Sequence, residues 1–550
     1  MHVLKARLGL IAGIGLAVIG AAPGRAQSRP EPAAIERTIA IDRPQAQAAP
    51  TLSAPAADVR SHSAATGRFT LGAVNIHGAT AFSRKELSRY FEPYLASEVD
   101  DSKLSEVAAR ITDHYRQTGY VLSYAVVPPQ SVEAGMVRIA VVEGRVGTVT
   151  IDGAGVDQRA LEAIAAPIME SSPLKTSTLE RALGLMRDFP GVKVTDVTLL
   201  RTDAEAGIYA LKIKVKRDRF HLLTYSDNRG TGSVGRMRLY TSASMSSLAV
   251  TGDELRLDLF RMPGRKFHYL YGQLQGGIPL GYSGARLTLS ASKGDQYLKD
   301  NSFDGDSTNL SAQFSYPMLR GRKLTLLGKV SLNDWRSLGE EDGTRKLRDR
   351  LRVARMGLEF GNESKTRFQG EFTLSRGLGF GDTSKVGDPL ASRIDAGGKF
   401  TKAALTLQVS RPLGGRVSVR GVAAAQYSDR PLLSAEEFAL GGNRIGRAFA
   451  FNALTGDRGV GGGAELSYKL QSANKGRAGI DLFGFADGGS AYQAKSAATV
   501  GDRRRSLASV GVGSRFTVAG TAFSVEAGLP VAAKGLDQSV HLFFSTYRSF

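Results

Sequence analysis

Few side chains in this sequence could carry chemistry, and their spacing argues against catalysis. Cysteine is absent, which excludes thiolate nucleophiles, disulfides and sulfur-ligated metals together. Seven histidines among 550 residues leave little material for an imidazole metal site. The run Asp300-Asn301-Ser302-Phe303-Asp304-Gly305-Asp306 has the composition of a calcium loop. It lacks the EF-hand spacing and the closing Glu, so it reads as a solvated loop. Glu340-Glu341-Asp342 reads as loop charge in the same way, not as an acid/base dyad. Walker, Rossmann, HExxH and nucleophile-elbow patterns do not occur. The expectation is a chain with no catalytic residues, no metal and no cofactor.

What remains is charge. Lys and Arg number 72 against 52 Asp and Glu, a formal +20. Such a surplus suits nucleic acid, an anionic membrane surface or a pore lined with bases. The N-terminus narrows the choice. Lys5 and Arg7 precede the apolar run Leu8–Ala22, Pro23 closes it, and Gly24-Arg25-Ala26 is a small-x-small cleavage site. Residues 1–26 therefore read as an export signal, since that run is shorter than the ~20 residues that span a bilayer. Export makes nucleic acid a poor partner. Residues 27–66, with Pro30, Pro32, Pro44, Pro50 and Pro55, read as an extended linker with room for one short helix at Ala33–Ile41.

From Phe69 to Lys216 a compact α+β pattern occurs twice. Val74-Asn75-Ile76-His77-Gly78 reappears as Val149-Thr150-Ile151-Asp152-Gly153, and each copy is followed by helical spacing. Leu104, Val107, Ala108, Ile111 and Tyr115 share one helix face, as do Leu179, Leu183, Met186 and Phe189 before the breaker Pro190-Gly191. Strands are expected at 121–127, 137–142, 192–200 and 208–215. The boundaries that follow are 67–144 for the first unit and 145–216 for the second.

Residues 217–550 lose the helical period. Short alternating runs such as Leu255-Arg256-Leu257-Asp258-Leu259 and Leu405-Thr406-Leu407-Gln408-Val409 take over. Tight-turn signals (Ile278-Pro279-Leu280-Gly281, Pro317 to Gly321, Arg411 to Gly415) alternate with long polar connections. This pattern predicts a membrane β-barrel, apolar outside and polar within, ending on the aromatic Phe550. At ~20 residues per strand and connection, it predicts about sixteen antiparallel strands. A lumen lined by Arg and Lys also accounts for the positive balance. In the last strand Arg548 occupies an outward position, where it can snorkel toward head groups.

The motifs make the resemblance specific. Gly119-Tyr120-Val121-Leu122-Ser123-Tyr124-Ala125, Pro128-Pro129-Gln130 and Glu143-Gly144 resemble the first POTRA domain of the TpsB-type outer-membrane transporters of two-partner secretion, the haemolysin secretion/activation family. Leu179 to Gly191 is similar to that family's second. Asp227-Asn228-Arg229-Gly230-Thr231-Gly232 resembles its first barrel hairpin. Arg447-Ala448-Phe449 resembles the tip of its inward-folded loop, where the middle residue is ordinarily glycine. Phe485-Ala486-Asp487-Gly488-Gly489 resembles the Phe-x-Asp-x-Gly motif of the facing wall. The resemblance implies a salt bridge from Arg447 to Asp487, since an Arg at a partly desolvated tip needs a carboxylate and presents a fork that fits one. It also implies a monomeric pore in the outer membrane of a Gram-negative bacterium, with periplasmic POTRA domains that bind a secreted TpsA-like exoprotein. The residues around Ala33–Ile41 would be a plug helix. An assembly factor of the same superfamily and, less well, a passive porin are the alternatives.

Overall fold

The computed structural model describes residues 67–204, 206–230, 235–264, 267–298, 303–472, 478–494, 503–533 and 535–550. The expected export signal, the linker with its short helix, Thr231-Gly232 and Asp300–Ser302 lie outside the described residues.

The first α+β unit runs β1 (Phe69–Thr70), β2 (Ala73–His77), α1 (Arg84–Ser88), β3 (Glu98–Val99), α2 (Asp101–Gln117), β4 (Tyr124–Val126) and β5 (Met136–Val142). Asp100 caps α2 by accepting from the Lys103 amide at 3.0 Å, and the predicted apolar face of that helix is buried. That face covers a sheet ordered β2-β5-β4, in which β2 and β5 run parallel. The second unit repeats the plan with β6 (Arg145–Asp152), α3 (Gln158–Glu170), α4 (Thr176–Asp188), β7 (Gly191–Asp203) and β8 (Ile208–Asp218), the sheet being β6-β8-β7.

The strand expected at 121–127 is shorter than its sequence suggests, and the reason lies at the junction between the units. Leu122 turns away to fill the second unit's core. The Gly119 carbonyl accepts from both the amide and the hydroxyl of Thr176, each at 2.8 Å, at the start of α4. The Tyr124 hydroxyl donates to the Ala204 carbonyl at 2.6 Å. The motif Gly119–Ala125 thus joins one unit to the next. Glu143 locks the first unit from within, accepting from the amides of Thr80 (2.7 Å) and Ala81 (2.8 Å) and from the Tyr115 hydroxyl (2.8 Å). Burial alone would raise its pKa; these donors outweigh burial and hold the carboxyl below its ordinary value.

The rest of the described chain forms a closed antiparallel barrel of sixteen strands. Eleven come first: β9 (Phe220–Asp227), β10 (Arg238–Ser246), β11 (Glu254–Met262), β12 (Phe267–Pro279), β13 (Arg286–Leu298), β14 (Phe303–Arg320), β15 (Thr325–Glu341), β16 (Thr344–Gly361), β17 (Arg367–Gly377), β18 (Thr401–Gly414) and β19 (Val417–Ser428). A long loop carrying the two short strands β20 (Phe438–Leu440) and β21 (Leu454–Gly456) follows. Then come β22 (Arg458–Gln471), β23 (Gly479–Tyr492), β24 (Arg504–Val518), β25 (Thr521–Ala533) and β26 (His541–Ser549). Alternation decides which side chains meet lipid: on β25, Phe523 and Val525 are exposed on the outer wall while Glu526 is buried in the lumen. Arg548 lays its guanidinium 4.4 Å over the Phe550 ring, a cation–π contact on the outer face.

The ladders are unequal. β15 pairs with β16 from Thr325–Gly361 to Glu341–Thr344, whereas β26 meets β9 only from Ser549–Leu223 to Ser545–Asp227. At the periplasmic mouth α4 sits against the short turns. Arg320 pairs with Asp188 at 2.6 Å and Glu363 at 3.1 Å, Arg187 pairs with Glu363 at 3.2 Å, and Arg181 donates to the Pro317 carbonyl at 2.9 Å. Two of the tight-turn signals seen in the sequence are therefore docking points as well as turns: a Cβ on Gly284 would lie 2.6 Å from Leu185, and one on Gly184 2.6 Å from Arg320.

Candidate functional site

The loop between β19 and β22 enters the barrel and is fixed first at its root. Asp457, fully buried, accepts from the amides of Leu432 and Ala494, both at 2.6 Å, and from Arg393 at 2.7 Å. Gly441 (φ +106°) and Gly446 (φ +81°) let the chain double back, and a Cβ on Gly441 would stand 2.2 Å from the Ala450 carbonyl oxygen. β20 then packs on the wall, where the bare Cα of Gly489 leaves room for Leu440.

At the tip, Asp487 of β23 collects three donors: the Gly446 amide at 2.8 Å, the Arg447 amide at 3.2 Å and the Ser509 hydroxyl at 2.5 Å. Ser509 in turn accepts from the Ala448 amide at 3.3 Å. The expected side-chain bridge from Arg447 to Asp487 is not the contact that forms. The short Asp487 side chain lies level with the tip backbone and is taken up by main-chain N–H groups. The longer Arg447 stem carries its guanidinium past it, to 3.8 Å over the Phe485 ring, where Glu465 (2.7 Å) and Glu526 (2.5 Å) receive it from two sides. Phe485 can lie flat there because Gly511 has no side chain; a Cβ would meet its ring at 2.4 Å.

The charges continue in both directions. Glu465 is held in bidentate fashion by Arg515 at 2.7 Å per bond. Glu526 also pairs with Arg229, which donates to the Arg447 carbonyl at 2.8 Å. The string Arg229–Glu526–Arg447–Glu465–Arg515 thus ties the loop tip to β22, β24, β25 and the end of β9. Five charges in a half-dry lumen satisfy one another, and any one removed leaves neighbours unpaired. Ala448 takes the place of the family's glycine without a left-handed backbone, since its φ is not positive. Its methyl is buried against Gly528, whose missing Cβ would otherwise lie 3.0 Å away. Phe449 is buried with Phe438, Leu440 and Leu507.

The first-hairpin motif divides its labour. Asp227 is buried and pairs with Arg238, at 2.7 Å from Nε, and with the Tyr225 hydroxyl at 2.6 Å. Asn228 points the other way, across the seam. Its amide donates to the Leu542 carbonyl at 3.0 Å and its oxygen accepts from the Phe544 amide at 2.9 Å, which prolongs the β9–β26 pairing by side chain. Gly230 comes so close to the returning strand that a Cβ would stand 1.9 Å from the Gly235 oxygen. Sequence reasoning missed Arg229, Glu465, Arg515 and Glu526. The signal for Glu526 was present, as a lone charge on the inward parity of Ala522–Ala533.

A closed sixteen-strand barrel with a lumen loop held by a conserved-type Arg tip, and with α+β units docked at one mouth, defines an outer-membrane transporter of the POTRA-and-barrel class. The family model for haemolysin secretion/activation proteins ShlB/FhaC/HecB matches residues 210–516, more than half of the chain, and the ShlB-type POTRA domain matches residues 69–144. The chain belongs to this family, which places the barrel in the outer membrane and the POTRA region in the periplasm. It is 28% identical over 254 residues to the heme/hemopexin transporter protein HuxB of Haemophilus influenzae, a match covering 45% of this chain and 44% of that one. The chain thus spans less than half the length of that relative. It is 22% identical over 413 residues to the outer membrane transporter CdiB of Dickeya dadantii, covering 73% and 72% of the two chains. The solved structure of CdiB from Escherichia coli superposes with a TM-score of 0.73 at 20% identity, over 92% of this chain and 94% of that one, and shares its fold.

Proposed function

We propose that this chain is the pore of a two-partner secretion system and exports a TpsA-like protein across the outer membrane. One observation supports this above the rest: the lumen is filled by a loop held by ion pairs, which can exchange partners, and α4 clamps the POTRA region to the mouth below it. The exoprotein is captured unfolded by adding a strand to an outer sheet edge, β6 being one outer strand of its sheet. It threads past Arg447 as the loop rearranges and folds outside. No nucleotide-binding motif is present in the sequence, so folding on the far side supplies the direction. In this reading residues 145–216 are a second POTRA domain, the protein acts as a monomer surrounded by outer-membrane lipid, and it has neither catalytic activity nor a cofactor.

The test is quantitative proteomics of a deletion strain, comparing medium, cell surface and purified outer membranes. One large protein missing from the medium or surface, with an unchanged membrane profile, is the expected result and names the cargo. A broad loss of barrel proteins from the outer membrane overturns the proposal in favour of an assembly factor.

A further inference from the structure

Arginines at the extracellular rim of this barrel are, as a rule, paired. Arg350 and Arg352 share Asp334 and Asp382, Arg348 meets Asp388 at 3.2 Å and Arg345 meets Glu340 at 2.7 Å. One sector breaks the rule. At the upper ends of β19, β22, β23 and β24, the side chains of Arg458, Arg503 and Arg504 have no carboxylate within ion-pair distance among the described residues. Each has one neutral acceptor: Arg458 the Ser428 carbonyl at 2.9 Å, Arg503 the Gln493 carbonyl at 3.3 Å, and Arg504 the Ser490 hydroxyl at 3.3 Å. Most of their N–H donors are therefore free.

Register places this sector on the outer wall. Tyr427 shares outward parity with Ala425, which faces Val460, and Arg458 shares that of Val460 itself, which is exposed to lipid. Arg458 pairs in register with Tyr492, and Tyr492 with Arg504. Two cations are braced on tyrosine rings, Arg458 at 4.5 Å over Tyr427 and Arg504 at 5.5 Å over Tyr492. Together they border a cleft of about 530 Å³, with Val460 in its wall. Just below, Val510 and Val512 continue the exposed apolar band. Nearby Asp429 is engaged by the Thr401 amide at 2.7 Å, and Asp457 is buried on the lumen side.

We propose that this cleft binds the phosphate of a phosphorylated, acylated glycolipid in the outer leaflet, with the acyl chains lying along the wall below. Free guanidinium forks at the level of the head groups match a phosphate in charge and geometry. The apolar wall continuous with them fits a lipid better than a free anion. The proposal rests on the outer-membrane placement of the barrel and is independent of what the barrel exports.

Purified full-length protein is exchanged into detergent with lipid A or with its dephosphorylated counterpart, and co-retained lipid is counted by native mass spectrometry. Wild type should retain the phosphorylated lipid, and Arg458→Gln/Arg504→Gln should retain at least about tenfold less, as expected for two lost charge-assisted contacts. Neither protein should hold the dephosphorylated lipid. The heat-induced gel mobility shift checks that the variant is folded; should it fail, Arg504→Gln alone is used and must still lose retention. Equal retention by wild type and variant, or of both lipids, overturns the proposal. Displacement by millimolar inorganic phosphate alone assigns the site to a free anion and overturns it too.

Discussion

The lumen loop is held by a string of buried charges, whereas the seam between β9 and β26 is held by a short main-chain ladder and one carboxamide. Both close the barrel, and they answer perturbation differently. A buried ion string is all-or-none: moving Arg447 leaves carboxylates facing a half-dry lumen, so the loop rests in one discrete place until other partners are offered. A strand ladder is graded, each bond adding about 1 kcal/mol net, and its cost rises at the membrane because freed groups find no water. A pore that opens through its lumen while its wall stays shut needs this division, with a switchable centre and a seam reinforced where its ladder is shortest.

The largest effect belongs to the string. Arg447→Ala leaves Glu465 to Arg515 and Glu526 to Arg229 alone, and removes the cation from above Phe485. The loop should lose about 3 kcal/mol of its hold, within the range for a broken buried pair. Single-channel recording should show longer and wider openings. Asp487→Asn should do much less, because the remaining oxygen still accepts from the Gly446 and Arg447 amides. If Asp487→Asn opens the channel as far as Arg447→Ala, the side-chain string is not what holds the loop.

The seam comes next. Asn228→Ala deletes two bonds and leaves the Leu542 carbonyl and Phe544 amide without those partners, a cost of about 1–3 kcal/mol. The temperature of the heat-induced mobility shift should fall while single-channel conductance stays as in wild type. A changed conductance with an unchanged shift would reverse the roles assigned to seam and loop.

How much of this was legible in the sequence depends on distance along the chain. The period of two, the tight turns and the helical faces are local, and they yielded a barrel of about sixteen strands and the doubled α+β units. The loop tip and the wall motif were also visible as Arg447-Ala448-Phe449 and Phe485 to Gly489. Their pairing was not, because it turns on side-chain length: Asp487 reaches only the tip backbone, while Arg447 reaches one step deeper to Glu465 and Glu526. Nothing near Glu465 in sequence marks it as the partner of a residue on a loop. The Asn228 clasp was hidden for the same reason, since it joins residues at opposite ends of the barrel sequence. Leu122 misled because its alternation is that of a strand, although it is spent on the neighbouring unit's core.

The smallest effect tests how the loop tip fits the wall. Ala448 and Gly528 together occupy the space that a glycine and a larger wall residue would otherwise share. Gly528→Ala places a Cβ 2.9 Å from the Ala448 Cα and 3.0 Å from its Cβ, so the tip must withdraw by a few tenths of an ångström. Ala448→Gly alone removes one buried methyl and frees the backbone, costing about 1 kcal/mol. In the double variant the clash is relieved, and the pair should cost less than the sum of the two single changes by about 1 kcal/mol in a double-mutant cycle. Open probability measured across the four proteins gives that coupling. Strict additivity would mean that the tip does not rest on Gly528, and the loop would then be held by its charges alone.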